Sequence, residues 1–369
     1  MSTTEDMIRE IEEELRRTKY NKATEHHVGR LKAKLARLKR EQMERAMSRS
    51  GGSGGFDVKK SGDASVALIG LPSVGKSTIL SRLTNKQSKV AHYAFTTLDA
   101  IPGIMYHRGA KIQIIDLPGI ISGASMGKGR GKEVLSVARS SDLILIVLDI
   151  FEWKTHLELI MKELYHVGIR VNQKPPDIVI KKTERGGIAI STLKELTKTT
   201  EKTIKEVMRE YKIINADVTI RGDPTIEEVI DVLEGNRVYI KGLIVVNKMD
   251  LVDEEMLREL TKGLPEEAIL ISAETGKNID LLRDKIIDTL ELIRIYLKPQ
   301  GGEPDYDEPL IMLKNSTVGD VCDKIHKTFK QRFRYARIWG KSAKHPGQVV
   351  HLDHVLEDED VLTLILRKV

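Results

Sequence analysis

Gly70-Leu-Pro-Ser-Val-Gly-Lys-Ser77 follows a short apolar run, Val66–Ile69, and opens a helical pattern. That is the strand–loop–helix setting that the pattern G-x-x-x-x-G-K-[ST] requires. Its glycines let backbone N–H groups close round phosphate oxygens, and the start of the helix adds its positive dipole end. Gly70, Leu71, Pro72, Ser73, Val74, Gly75, Lys76, Ser77 and Thr78 are therefore the candidate phosphate cradle. Lys76 would reach the β- and γ-phosphates, and the Ser77 hydroxyl would hold Mg2+.

Further patterns stand at the ends of later apolar runs, in an order that makes one site. Asp116-Leu-Pro-Gly119 follows Lys111–Ile115. An Asp there is placed to hold Mg2+ through water, and Gly119 can bring its N–H close to a γ-phosphate. Asn247-Lys-Met-Asp250 follows Leu243–Val246. The Asp250 carboxylate can accept from the ring N–H and the exocyclic amine of guanine, a donor pair that adenine lacks. Asn247 and the Lys248 stem would buttress that loop and cover the base. Ser272-Ala-Glu274 follows Ala268–Ile271, and the Ala273 N–H is the candidate donor to the guanine carbonyl oxygen. In Phe95-Thr-Thr97, Thr97 is the candidate direct Mg2+ ligand, with Thr96 the close alternative. Lys76, Thr97 and Gly119 are the candidates for acting on the γ-phosphate. The residue after Gly119 is Ile120, where many GTP-hydrolysing proteins carry a Gln that orients the attacking water, so unaided hydrolysis should be slow. Gly123, Gly127, Gly129 and Gly131 make the next stretch a loop that orders on binding, with Lys128 and Arg130 between them.

Apolar runs alternating with helical patterns from Ala64 onward predict an α/β fold with a parallel sheet wrapped by helices. Residues 1–50 read as a basic helical hairpin, with stripes Ile8, Ile11, Leu15 and Val28, Leu31, Leu35, Leu38. Ser50-Gly-Gly-Ser-Gly-Gly55 marks a linker over 51–62. The sheet domain runs over 63–297 and is interrupted at 165–238 by a small α+β insertion. In the insertion, residues 175–191 read as a hairpin turning at Glu184-Arg-Gly-Gly187, followed by a helix at about 193–211, a strand Ala216–Ile220 and a helix capped near Thr225. After a helix at 277–296, residues 298–369 read as a mixed β domain with a main helix Val318–Arg332.

The 369 residues carry a net charge of +6. Arg30–Arg49 holds eight Lys/Arg against Glu41 and Glu44, and Asp320–Lys344 holds eight against Asp320 and Asp323. Two basic ends around an acidic middle suggest a polyanionic partner. Aromatic residues are 4% of the chain, low for reading single strands mainly by base stacking. A single cysteine, Cys322, excludes an intramolecular disulfide framework and a Cys-based zinc site. The longest clean apolar run, Leu143–Leu148, is far too short to span a bilayer, so no membrane partner is expected, and a cytoplasmic location is.

On these motifs the chain resembles the developmentally regulated GTP-binding protein (DRG) family of the Obg superfamily. The tail agrees, in Arg294-Ile-Tyr-Leu-Lys-Pro, Lys344-His and Leu356-Glu-Asp-Glu-Asp-Val361. The resemblance covers essentially the whole chain. It implies a P-loop GTPase domain with an inserted module like ribosomal protein S5 domain 2, an N-terminal helical hairpin and a C-terminal TGS domain of β-grasp type. It further implies GTP hydrolysis with Mg2+, ribosome or RNA association through the hairpin and the TGS domain, and a zinc-finger regulatory partner. Cation-dependent relatives often carry Asn where this chain has Ser73, which puts stimulation by K+ in question. The expected function is a ribosome-associated GTPase switch in translation. The alternatives are a nucleotide-gated RNA- or partner-binding scaffold with little turnover and an ATPase, and Asn247–Asp250 argues against the last.

Overall fold

Leu143–Leu148 is apolar at every position, as a strand covered on both faces must be, and the computed structural model of the chain sets it deep in a parallel sheet. The structure describes residues 4–19, 21, 24–48, 62–84, 101–117 and 137–367. They belong to two compact units, one drawn from residues 4–48 and 163–239, the other from 62–84, 101–117, 137–162 and 240–367.

The second unit is built on β1 (Ala64–Ile69), β2 (Ile101–His107), β3 (Ala110–Asp116), β4 (Leu143–Asp149), β9 (Val238–Asn247) and β10 (Ile269–Leu270). Their order is β10-β9-β4-β1-β3-β2, parallel except for β2. β1 lies between β3 and β4, so the chain leaves it to one side and later returns on the other. The crevice at such a switch point, beyond the strands' C-terminal ends, is where ligands bind in open α/β sheets. Helices α3 (Lys76–Leu83) and α8 (Ile279–Leu290) bury Ile79, Leu80 and Leu83, and Ile279, Leu282, Ile286 and Leu290, in the core shared with the sheet. Strand β2 was not anticipated. Pro102 and Gly103 conceal its pattern, and its place at the sheet edge is where a strand tolerates proline.

The expected helix at 277–296 ends at Leu290. Glu291 takes a left-handed conformation, and Leu292–Leu297 forms β11 of a second sheet. Ile286, Leu290 and Ile293 continue a helical spacing across this boundary, so periodicity alone misplaces it. That sheet has the order β12-β11-β15-β13-β14, from β12 (Leu310–Leu313), β13 (Phe333–Trp339), β14 (Gln348–Val350) and β15 (Asp360–Leu366). β11 and β15 are parallel and the other pairs antiparallel. The sheet packs on α9 (Val318–Ile325) through Val318, Val321 and Cys322, a helix closed inside a mixed sheet. The expected helix 318–332 is two helices. His326 is extended between α9 and α10 (Lys327–Arg332), and its ring accepts from Thr328 N at 3.2 Å.

In the first unit, α1 (Thr4–Arg17) and α2 (Glu25–Ser48) pack through Ile8, Ile11, Leu31 and Leu38, with Leu15 and Leu35 at the margin. The inserted segment supplies β6 (Ile178–Lys182), β7 (Ile188–Thr192), α5 (Glu201–Glu210), β8 (Ala216–Ile220) and α6 (Ile226–Glu234). The expected β6–β7 hairpin is not formed. β8 lies between them, antiparallel to β6 and parallel to β7. Ala216, Val218 and Ile220 are all buried, whereas β6 and β7 are only half-buried, so the most apolar strand takes the centre. The helix expected from residue 193 begins at Glu201, capped by the Thr200 hydroxyl.

That helix start explains where the hairpin goes. Glu25, a buried carboxylate at the start of α2, accepts from Thr199 Oγ1, Thr200 N and Thr203 Oγ1 at 3.1–3.2 Å. Lys32 pairs with Glu227, Arg40 with Glu234 at 3.4 Å, Lys39 with Glu12 at 2.7 Å and Arg30 with Glu210 at 3.5 Å. Arg37 donates to Glu210 O at 2.7 Å. Much of the basic stretch of α2 thus neutralises acids of its own unit and is not a wholly solvated face.

Candidate functional site

The parallel register brings the motifs to one edge. Leu68 stands opposite Asp116, and Asp149 opposite Asn247. Gly70 follows β1, where a Cβ would come within 2.5 Å of Val147 O, so the close approach of loop and β4 requires glycine. Ser73 and Gly75 both have positive φ, 66° and 93°, which curls the loop back on itself. Lys76 closes it, with Nζ donating to Gly70 O at 3.2 Å and Leu71 O at 3.0 Å.

Ser77 Oγ donates to Asp116 Oδ2 at 2.6 Å. Two hard oxygens, one on the phosphate loop and one at the end of β3, are a donor set that fits Mg2+, which would neutralise phosphate charge there. Burial pushes the Asp116 carboxyl above its ordinary range, while Ser77 and the Lys76 ammonium pull it back. Burial lowers Lys76 in turn, opposed by Asp116. A carboxyl whose pKa is raised in the fold holds its proton more tightly there than in the unfolded chain. Its contribution to stability therefore rises as pH falls from neutrality toward the ordinary carboxylate value. We expect Asp116→Asn to flatten that part of the Tm-against-pH curve of the nucleotide-free chain and to make GTP affinity insensitive to EDTA. Thermal unfolding from neutrality down to the ordinary carboxylate value and nucleotide titration check both.

Asn247 is the joint of the site. It is buried, its Nδ2 donates to Val74 O at 2.9 Å, and its Oδ1 accepts from Ala273 N at 2.9 Å. One amide so links the phosphate loop to the loop after β10. Gly75 must be glycine beside it, because a Cβ there would fall well inside contact distance of Asn247 Nδ2 on a backbone with positive φ. We expect Gly75→Ala to weaken nucleotide binding about 100-fold or more, read by titration with fluorescent GDP. Lys248, with φ 70°, pairs with Asp149 Oδ2 at 2.6 Å. Asp250 lies in a single 3-10 turn with its carboxylate exposed. Ser272 is buried and its Oγ accepts from Thr275 N at 3.1 Å.

The structure thus brings together Gly70–Thr78, Asp116, Asn247, Lys248, Asp250 and Ser272–Glu274. Thr96, Thr97, Gly119, Ile120 and Gly123–Gly131 lie outside the described residues. The expected donor, Ala273 N, donates to Asn247 Oδ1 at 2.9 Å, which places it on the loop that Asn247 ties to the phosphate loop. Sequence reasoning missed Asp149, although its place just past an apolar strand was a usable signal. It also missed Arg82, which donates to Ala273 O at 2.8 Å across a gap of 191 residues that no local pattern marks.

Three family models match in succession: a 50S ribosome-binding GTPase over residues 65–182, the C-terminal region of that domain over 185–292, and a TGS domain over 293–366. A GTP-binding protein of Methanocaldococcus jannaschii is 58% identical, with 99% of this chain and 93% of that one covered. Developmentally-regulated GTP-binding protein 1 of Xenopus laevis is 49% identical over 99% of this chain and 100% of its own. Ribosome-interacting GTPase 1 of Saccharomyces cerevisiae is 48% identical over the same shares. At these identities, over nearly full length, the chain belongs to the family of developmentally regulated GTP-binding proteins and is a GTP-binding protein with a P-loop GTPase domain and a C-terminal TGS domain.

Proposed function

We propose that this chain is a slow, Mg2+-dependent GTPase that acts as a ribosome-associated switch in translation. The joint at Asn247 carries the reading, since it ties the phosphate loop to the base-side loop and lets one nucleotide organise both. Gly70–Thr78 hold the phosphates, with Lys76 on the β- and γ-oxygens. Ser77, Asp116 and Thr97 hold Mg2+, and Gly119 meets the γ-phosphate. Asp250 reads the guanine edge, and Lys248, braced by Asp149, covers the base. The Ala273 N–H is the donor to the guanine carbonyl oxygen, on the loop that Asn247 holds to the phosphate loop. Ile120 in place of a water-positioning Gln supports a low unaided rate. K+ is not assigned, given Ser73.

The ribosomal role follows the relative in Saccharomyces cerevisiae whose name records it. The TGS domain adds physical support, since Arg334 and Arg337 are exposed along β13. The hairpin contributes less charge than its sequence suggests, because five of its basic residues serve its own unit. In this reading residues 1–50 and the S5-like insertion at 165–238 make one module, the TGS domain another, and a zinc-finger regulatory protein of the kind family membership implies is the protein partner. The chain would work in the cytoplasm, where ribosomes are. No helix among the described residues is long and apolar enough to cross a membrane.

Co-sedimentation with ribosomes in a non-hydrolysable GTP analogue, GDP or no nucleotide tests the proposal. Pelleting that depends on nucleotide is expected. Equal pelleting in all three states would replace the switch with a constitutive scaffold, and none in any state would remove the ribosome.

A further inference from the structure

Arg82 lies in the last turn of α3, outside every motif that defines the nucleotide site. Its Nε donates to Ala273 O at 2.8 Å and its Nη2 donates to Glu274 O. Its own carbonyl accepts from Arg283 Nη2 at 2.5 Å, and Arg283 is paired in turn with Asp280 at 2.7 Å. The backbone of Ala273 is therefore held on both sides, its N–H by Asn247 and its C=O by Arg82. Asn247 anchors the loop to the phosphate loop, and Arg82 anchors it to the helix that continues the phosphate loop. A planar guanidinium presents its donors in a fixed fork that meets two neighbouring carbonyls at once. An ammonium is a point donor and does not reproduce that geometry.

We propose that Arg82 is a positioning residue for the guanine pocket. By holding the carbonyls of Ala273 and Glu274, it turns the N–H groups of this loop toward the base and sets how long a nucleotide stays bound. The proposal rests on the reading of Ser272–Glu274 as the base-side loop. Both of Arg82's bonds go to backbone carbonyls, so the role is indifferent to the side chains at 273 and 274. Arg82 also couples the two halves of the site, because a shift of α3 is passed directly to the loop that faces the base.

The test is the release of a fluorescent GDP from the full chain and from its Arg82→Ala and Arg82→Lys variants. Arg82→Ala should release GDP at least about tenfold faster, which corresponds to ~1.4 kcal/mol, and Arg82→Lys should lie between it and the parent chain. Millimolar guanidinium ion should slow release from Arg82→Ala and leave the parent chain unchanged, a rescue that a merely structural role would not show. Affinity for inorganic pyrophosphate, which engages the phosphate loop alone, should be unaltered, and preference for GDP over ADP should fall. Release within twofold of the parent chain overturns the proposal. So does a loss of pyrophosphate affinity equal to the loss of GDP affinity, because Arg82 would then act on the phosphate helix. If Arg82→Ala does not fold, Arg82→Lys carries the same comparison. Failure of the underlying reading shows separately: Asp250→Asn that still binds GDP normally refutes the base site, whereas an altered Asp250→Asn with an unaltered Arg82→Ala refutes only the role of Arg82.

Discussion

Asp250→Asn should lower affinity for GTP and GDP by about a thousandfold or more while creating affinity for xanthine nucleotides. In the proposed site the carboxylate would accept two N–H bonds from the guanine edge. A carboxamide presents one acceptor and one donor, so the exocyclic amine of guanine meets an N–H and both are left unpaired. Xanthine has a carbonyl at that position and accepts what the new amide donates. The side chain changes by one atom, is exposed, and lies on a 3-10 turn held by its neighbours, with Asn247 buried and Lys248 paired to Asp149. The Tm of the nucleotide-free chain should therefore stay within a degree or two, which separates recognition from folding. Titration with fluorescent GDP and XDP decides the matter, and unchanged GDP affinity would remove Asp250 from the base site.

Asp231→Ala should destabilise the first unit by about 3–5 kcal/mol, the usual effect of removing one partner of a buried ion pair. Arg170 is 2% exposed and makes a two-pronged contact with Asp231, both bonds at 2.6 Å. Arg237 Nε adds a third bond at 2.8 Å. The Arg170 guanidinium also lies 3.6 Å from the centre of the Tyr165 ring and donates to Tyr165 O at 2.8 Å. Without Asp231, two guanidinium groups would remain with no carboxylate between them. The exposed pair Arg17–Glu13, at 3.3 Å, provides the contrast. Breaking it should change stability by about 0–1 kcal/mol. Urea unfolding of the two variants beside the parent chain measures both, and similar midpoints for Asp231→Ala and Glu13→Ala would show that the buried pair adds nothing beyond a surface one.

The nucleotide motifs were legible because each is short, local and tied to the end of one strand. Gly70–Ser77, Asp116, Asn247–Asp250 and Ser272–Glu274 needed only the knowledge that parallel strands present their C-terminal ends together. The hairpin expected of residues 175–191 was not legible in the same way. A Gly-Gly turn between two β-branched runs specifies that the chain reverses. It does not specify whether a third strand enters between the two arms, and β8, supplied 24 residues later, does so. The helix expected at 277–296 failed where Ile293 fits both a helix's spacing and a strand's alternation. Nor does the order of residues show that Ala273 N donates to Asn247 Oδ1, a bond between residues 26 positions apart.

The sequence by itself determined the ligand class, the α/β class and the helical hairpin, since their motifs and periodicities are written in residues a few positions apart, and its family resemblance supplied the TGS-type ending. Only the tertiary structure decided that α2 pairs Arg30, Lys32 and Arg40 with acids of the inserted segment, that Asp149 braces Lys248, and that Arg82 holds the loop at Ala273. Those contacts join residues tens to nearly two hundred positions apart. Their partners are chosen by which surfaces packing brings together, and that choice is made by the summed burial of whole faces rather than by any one motif.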